Sequence, residues 1–266
     1  MTILTSYHVH SRWSDGVATV PEIVEEADSI GLDEVGISDH LVIYPDDADI
    51  EWSMRVEDLD SYVDEVTGTG SGSRRIRVRL GIEADYIPAT VGALKATLDR
   101  YPFDYVIGSV HFMDGFPIDE HRKHWDSLSA DQVNETWLGY YRRIAEMAAT
   151  RVFDIVGHLD LPKKFGHAPT ADMTEAVNEA LDAIAEADMA MEINTSGWSV
   201  PAHEAYPAPW IVRAACGRGI PIVITADAHT PRYLTRNFDK ALLLAKESGY
   251  SQAALLDRRS RRLVSF

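Results

Sequence analysis

Seven short apolar runs, rich in β-branched residues, recur along the chain: "ILTSYHVH", "EVGISDH", "RVRLGIEADY", "YVIGSVHF", "FDIVGHLD", "AMEINT" and "PIVITADAH". Their lengths and residue types predict strands. Between them lie segments of helical periodicity. "TVPEIVEEADSIGL" opens with Thr19 and Glu22 at capping-box spacing and stops at Gly31. "SADQVNETWLGYYRRIAEMAA" places Ser129 and Gln132 in the same arrangement, with Val133, Trp137, Tyr141, Ile144 and Ala148 on one helical face. "DMTEAVNEALDAIAEA" and "PWIVRAACGRG" complete the pattern. Repeated strand-then-helix units predict an α/β fold, a parallel sheet covered by helices. Seven strands suit a closed or nearly closed barrel, and the spacing is also compatible with an open sheet. No internal repeat or domain boundary is visible, so residues 1–266 read as a single domain.

One segment breaks the rhythm. "GTGSGS", residues 68 to 73, has the composition of a flexible linker, and a polar helical stretch from about Arg55 to Val66 precedes it. Together they read as a surface excursion in preference to a lid over the site.

The polar residues that end the strand runs change the picture. His8 and His10 end the first run, His40 the second, His111 the fourth and His158 the fifth. Glu83 and Glu192 lie in the third and sixth, and the seventh runs into Asp227 and His229. Six of the ten histidines therefore stand at the carboxyl ends of predicted strands. A parallel barrel delivers those ends to one mouth. In "HVH" residues i and i+2 face the same side, roughly 6 to 7 Å apart. "DAH" at 227 to 229 repeats the spacing with a carboxylate and an imidazole. A lone HxH is more often packing than chemistry. Six strand-end histidines, with Asp15, Glu83 and Asp227, exceed the roughly four ligands of one tetrahedral zinc and point to two or three metals. The remaining His121, His124, His167 and His203 fall outside the pattern and are expected at the surface.

Composition narrows the partners. The 266 residues are 45% hydrophobic and carry 42 acidic against 25 basic groups, a net charge of -17. That field disfavours nucleic acid and anionic membranes, and it disfavours anionic small molecules unless cations sit inside the site. The single cysteine, Cys216, allows no internal disulfide and suits a reducing cytoplasm. The first residues lack the pattern of a signal peptide, and no apolar stretch approaches a membrane span.

"HVHSRWSDG", "GISDH", "GIEAD", "GSVHF", "GHLDL", "EINTSG" and "DAH" together resemble the PHP family of metal-dependent phosphoesterases, in that family's order and over nearly the whole chain. "GSVHFMDGFPID", "GHLDLPKKFG" and "MEINTSG" look most similar to its monofunctional histidinol-phosphate phosphatases. The resemblance implies a distorted (β/α)7 TIM-like barrel holding three divalent ions (Zn, Mn or Fe). It implies that His8, His10, Glu83 and Asp227 hold the first ion and that Glu83 bridges to a second, completed by His111 and His158. Asp15, His40 and His229 would hold the third, with Asp15, His40, Glu83 and His229 as the catalytic candidates. Glu192 is expected to hydrogen-bond behind the site. The implied reaction is hydrolysis of a phosphomonoester, L-histidinol phosphate foremost, through a metal-bridging hydroxide attacking phosphorus in line.

The substrate contacts are read from loop positions. Lys163, Lys164, Arg232 and Arg12 are candidates for the phosphate, each as readily an ordinary surface charge. Asp114, Asp119 and Trp198 are candidates for the histidinol end, and for Trp198 plain packing competes. Similar phosphatases often carry a basic residue soon after "EINTSG", where this chain has Trp198, Ser199 and Val200. The last strand also lacks the Gly-Ser that relatives tend to place before Asp-Ala-His. Arg232 is the candidate compensation. Rival readings are a phosphatase for another small or nucleotide-derived monoester, an exonuclease or proofreading module, and a non-catalytic metal-binding module. The oligomeric state is not legible.

Overall fold

All seven predicted runs form strands in the computed structural model, which describes residues 4–71 and 75–266. The chain opens with β1 (Thr5–Ser6) and α1 (Val20–Ser29). Two runs are each split in mid-course. The first split gives β2 (Glu34–Ile37) and β3 (His40–Leu41); after α2 (Leu59–Gly70), the second gives β4 (Arg77–Leu80) and β5 (Glu83–Asp85). Then follow α3 (Val91–Leu98), β6 (Ile107–Ser109), a small antiparallel pair of β7 (Phe112–Met113) and β8 (Phe116–Pro117), α4 (Arg122–Asp126) and α5 (Ala130–Ala149). The chain continues through β9 (Ile155–Val156), α6 (Thr174–Glu186), β10 (Ala190–Asn194), α7 (Pro209–Gly217), β11 (Ile222–Thr225) and α8 (Phe238–Glu247). It ends in an antiparallel hairpin of β12 (Gln252–Asp257) and β13 (Ser260–Ser265).

Pairing settles the choice between barrel and open sheet. β1 pairs with β2 and β2 with β4, all parallel. The second parallel sheet runs β3, β5, β6, β9, β10, β11. The split runs belong to both sheets and join them. The ring closes where Val9, just past β1, bridges Ala228, just past β11. There the His10 amide donates to the Ala228 carbonyl and the Ala228 amide to that of His8, at 2.9 and 3.0 Å. The result is a distorted (β/α)7 barrel.

The helices follow their sequence signals. Thr19 and Glu22 complete the capping box of α1, and Ser129 and Gln132 that of α5. Val133, Trp137, Tyr141, Ile144 and Ala148 of α5 are all buried. Each large apolar side chain buried this way stabilises the fold by about 1.5–3 kcal/mol. Among the described residues no helix is long and apolar enough to cross a membrane.

Two features differ from expectation. The stretch after Arg55 is not a surface excursion. Leu59, Tyr62, Val63 and Val66 of α2 are buried, and the Tyr62 hydroxyl donates to the carbonyls of Ile37 (2.9 Å) and Gly81 (2.7 Å). Those carbonyls sit at the two strand breaks; that of Ile37 already accepts the Gly81 amide at 2.8 Å, so the hydroxyl of α2 chiefly serves the Gly81 carbonyl, which the sheet leaves free. Of the Gly-rich run, Gly68 and Gly70 continue this helix, and residues 72–74 lie outside the described residues.

The C-terminal hairpin is the second. Ala254, Leu255 and Leu256 pack on Tyr7, Tyr105, Ile107, Ile155, Ala190 and Val223. This plug closes the barrel at the amino ends of the strands, opposite the mouth.

Candidate metal centre

The first strand carries His8 and His10 to the mouth on either side of Val9, with ring centroids 5.0 Å apart and both rings buried. The loop after them is shaped by Asp39, which lies in the break between β2 and β3. Its carboxylate accepts from the Ser11 amide (2.7 Å) and hydroxyl (2.7 Å), and from the Ser14 amide (3.1 Å) and hydroxyl (2.6 Å). Gly16 closes the loop against the His10 backbone, where a Cβ would stand 2.2 Å from the His10 carbonyl oxygen. The loop thereby brings Asp15 to 3.1 Å from Nε2 of His229 and 3.7 Å from Nε2 of His40.

Glu83, at the start of β5, is the hub. Its Oε2 lies 2.8 Å from Nδ1 of His40, 3.1 Å from Nε2 of His8 and 3.5 Å from Nε2 of His10. Its Oε1 accepts from the Ser109 hydroxyl at 2.6 Å and faces Nε2 of His158 at 3.0 Å and of His111 at 3.8 Å. Asp227 approaches from the last strand, its Oδ1 3.4 Å from Nε2 of His10. Its φ of 50° is a left-handed conformation costly for a non-glycine residue, and such strain gathers at functional sites.

Ligand-type atoms gather into three sets, each within 4.8 Å: His8, His10 and Asp227; His40, Glu83 and His111; and His10, Asp15, His40 and His229. With His158 facing Glu83, all nine candidates from the sequence are together. The sharing differs from the implied one, for His10 also belongs with the Asp15 set and His40 also faces Glu83.

The donor set fits divalent cations. Among the described residues, Nε2 of His8, both ring nitrogens of His10, Nδ1 of His40 and Oε2 of Glu83 are buried with no hydrogen-bond partner. They are close to one another but not aligned to bond. Each such group left bare costs about 1–3 kcal/mol. Imidazole and carboxylate atoms converging in this way suit Zn, Mn or Fe, which would satisfy them together.

Outer contacts fix the ring orientations. Glu192 accepts from Nδ1 of His8 at 2.8 Å and from the Thr225 hydroxyl at 2.9 Å through Oε2. Its Oε1 accepts from the His158 amide (2.5 Å) and Asn194 (2.9 Å). This is the role expected of it. Asp85 accepts from Nδ1 of His111 at 2.5 Å, a partner the sequence reading missed although it stands at i+2 from Glu83, on the same side of the strand. Burial opposes charge on Glu83, yet His8 and His40 hold its carboxyl well below the ordinary range. Burial, with His229 and His40 beside it, pushes His10 down to about 3, so its ring is neutral and free to coordinate.

The cluster floors a cavity of about 470 Å³. Of the substrate candidates, Lys164 and Asp119 line it, paired at 3.0 Å. Lys163, Arg232, Trp198 and Asp114 do not. Lys163 points away and is held by Asp160 and Glu204, each at 2.8 Å. Asp114 sits exposed at the β7–β8 turn and pairs with Arg143. Trp198 packs on the core beneath Lys240. Arg232 is exposed and lies over the ring of Tyr233, and Arg12 donates to the Val17 carbonyl of its own loop. In their place the structure supplies Trp52, Glu120, Tyr206 and Arg236. Only Arg236 left a trace in sequence, as a second arginine soon after "DAH".

Residues 6–196 match the PHP domain family. A curated Deinococcus radiodurans protein named "Probable histidinol-phosphatase" is 36% identical over 251 residues, 94% of this chain and 95% of the relative. The Bacillus subtilis histidinol-phosphatase is 28% identical over 275 residues, 94% of this chain and 97% of its own length. The crystal structure of histidinol phosphate phosphatase from Lactococcus lactis, complexed with zinc, L-histidinol and phosphate, superposes with a TM-score of 0.81 at 21% identity, covering 98% of this chain and 99% of that one. The strand-end ligand sets and these matches lead to one conclusion: the chain belongs to the PHP family.

Proposed function

We propose that this PHP-family enzyme is a metal-dependent phosphatase that hydrolyses L-histidinol phosphate to L-histidinol and phosphate. The observation that carries the reading is the division of the Glu83 carboxylate, one oxygen toward His8, His10 and His40 and the other toward His111 and His158. A carboxylate so placed suits a bridge between two cations. His8, His10 and Asp227 would complete one site, His111 and His158 the second, and Asp15, His40 and His229 a third, for ions of the Zn, Mn or Fe class.

Bound divalent ions supply a lowered water pKa and neutralise charge on the phosphoryl group. The chain's own groups do the rest. His10, neutral through burial, offers a lone pair at neutral pH. Glu192 and Asp85 hold His8 and His111 with Nε2 toward the cavity. The buried floor excludes bulk water, which strengthens each electrostatic contact. Asp119 and Glu120 give the wall a negative character suited to an ammonium or imidazolium group, and Trp52 and Tyr206 add ring faces. The curated relatives' names, and the histidinol and phosphate held by the Lactococcus protein, support the same substrate.

The deciding experiment is steady-state kinetics on L-histidinol phosphate against a panel of sugar, nucleotide and aryl monoesters, with metal content measured on the same sample. The expected result is kcat/KM for histidinol phosphate at least about a hundredfold above the others, a preference of about 2.7 kcal/mol. Equal or better turnover of another monoester would reassign the substrate. Purified protein holding no metal after loading would overturn the mechanism.

A further inference from the structure

We propose that Arg236 is the anion anchor of the cavity, its guanidinium donating to a non-bridging oxygen of the substrate's phosphoryl group. This rests on the phosphatase reading and adds to it a residue outside the nine ligand positions.

Among the described residues, Lys164 and Arg236 are the only lysine or arginine side chains lining the cavity. Lys164 is already engaged, its ammonium bonded to the Asp119 carboxylate at 3.0 Å and carbonyl at 2.9 Å. Arg236 pairs with no carboxylate among the described residues, although acids dominate the walls. Its Nε is buried and has no hydrogen-bond partner.

The rest of Arg236 is held firmly. One terminal nitrogen donates to the Ala226 carbonyl at 3.1 Å, one residue before Asp227. The guanidinium carbon lies 4.7 Å from the Tyr233 ring centroid. The Arg236 carbonyl accepts from the Thr195 hydroxyl at 2.6 Å, just past β10. The cation is thus placed between the last two strand ends, beside the ligand clusters, with Nε and the second terminal nitrogen making no hydrogen bond among the described residues. A guanidinium is always charged and matches phosphate geometry. A positive group fixed before the substrate arrives also needs no reorganisation when it binds. An arginine that served the fold alone would be expected to spend Nε on a protein acceptor.

The test uses the full-length, metal-loaded protein and compares wild type with Arg236→Gln and Arg236→Lys. Four quantities are read: KM and kcat on histidinol phosphate, the inhibition constant of inorganic phosphate, metal content and thermal midpoint. An anchor predicts that Arg236→Gln raises KM and the phosphate inhibition constant together, by about ten- to a hundredfold. Metal content should stay at the wild-type value, and Arg236→Lys, which keeps the charge, should recover part of the loss. Unchanged KM and phosphate inhibition in Arg236→Gln would overturn the anchor while leaving the phosphatase intact. So would losses that track metal content and thermal midpoint, because Arg236 would then be only a brace for the Asp227 loop. Should Arg236→Gln fail to fold, Arg236→Lys decides: wild-type phosphate inhibition and KM in that variant would count against a fitted guanidinium contact. A wild-type holoenzyme that neither hydrolyses phosphomonoesters nor responds to phosphate would overturn the phosphatase reading itself, and the anchor with it.

Discussion

Nδ1 of His8 lies 2.8 Å from Oε2 of Glu192, and that contact decides which nitrogen of the ring faces the cavity. A carboxylate only accepts, so His8 keeps a proton on Nδ1 and turns Nε2 to Glu83 and Asp227. The other Glu192 oxygen holds the His158 amide, so one side chain sets candidate ligands from two strands. Glu192→Gln keeps the shape but offers a donor on one side. The expected outcome is about a 10–100-fold loss of metal affinity, read by competition against a chelator. Wild-type affinity in Glu192→Gln would remove this role.

Glu83 is the residue whose loss should cost most. His8, His10, His40, His111 and His158 all reach its carboxylate within 3.8 Å. Glu83→Gln removes a negative charge from between cation sites and puts an N–H where one oxygen stood. We expect kcat to fall by about a thousandfold or more, since several kcal/mol of charge stabilisation is at stake. Metal analysis should show at least one ion fewer per chain. Full occupancy with unimpaired kcat would show that the carboxylate does not bridge.

Proton release on metal loading follows from the charges of the metal-free cluster. Burial opposes protonation of His111 and His229. Asp85 and Asp119 nevertheless raise His111 to about 10, and Asp15 and Asp227 raise His229 to about 9. Both pKa values lie above the ordinary histidine value, so the stability these protons contribute is full below about pH 6.5. It is lost as pH rises through 9 to 10. Metal ions replace the protons, so loading near neutral pH should release them, and apparent affinity should rise with pH across that window. His10, at about 3, releases none. Calorimetric titration in two buffers of different ionisation enthalpy measures the release. Buffer-independent heats would mean that the histidines are already neutral.

The barrel strands and the gathering of eight of the nine ligand candidates were legible because one pattern carries both: an apolar run with His, Asp or Glu at or near its carboxyl end; Asp15 lies instead in the loop after the first run. Barrel closure was legible through the family resemblance but not from strand spacing, since it rests on the single bridge between Val9 and Ala228, far apart in sequence. Nor was the role of α2, where the deciding group is one hydroxyl, Tyr62, reaching two strand breaks. On the substrate side Lys164 and Asp119 reach the cavity while Lys163, Arg232, Trp198 and Asp114 do not, for a local reason. Lys163 and Lys164 are neighbours on a short 3-10 turn (Leu161–Phe165), where a shift of one residue turns a side chain from the Asp160 pair to the cavity. Past His229 a further tight turn, Pro231–Tyr233, leaves Arg232 outside and brings Arg236 back to the mouth.

The C-terminal hairpin escaped notice because its apolar stretch, Ala254–Leu256, is short and flanked by "DRRSRR". Its apolar residues nevertheless plug the barrel, and Leu255 is 3% exposed. Leu255→Ala should destabilise the protein by about 2–5 kcal/mol through lost burial and a cavity. The plug is remote from the ligands, so metal content and KM of the folded fraction should not change. Urea denaturation checks the first part and metal analysis the second; a change in metal content with unaltered stability would contradict both.

Asp39 gives the sharpest separation between holding a metal and shaping the loop that holds it. It stands one residue before His40, yet its carboxylate is spent on Ser11 and Ser14. Those four contacts curve the segment that carries Asp15 to His229. Asp39→Asn would turn an N–H toward donors, so at least one contact becomes a repulsion, costing about 1–3 kcal/mol. Asp15→Asn removes only a partly exposed carboxylate and should cost the metal-free fold little. Both variants should lower occupancy of the site formed with His40 and His229, but only Asp39→Asn should also lower the urea midpoint without metal. Because both act through one loop, the double variant should lose little more occupancy than either single one. Additive losses of occupancy would show that Asp39 acts on the cations directly and not through Asp15.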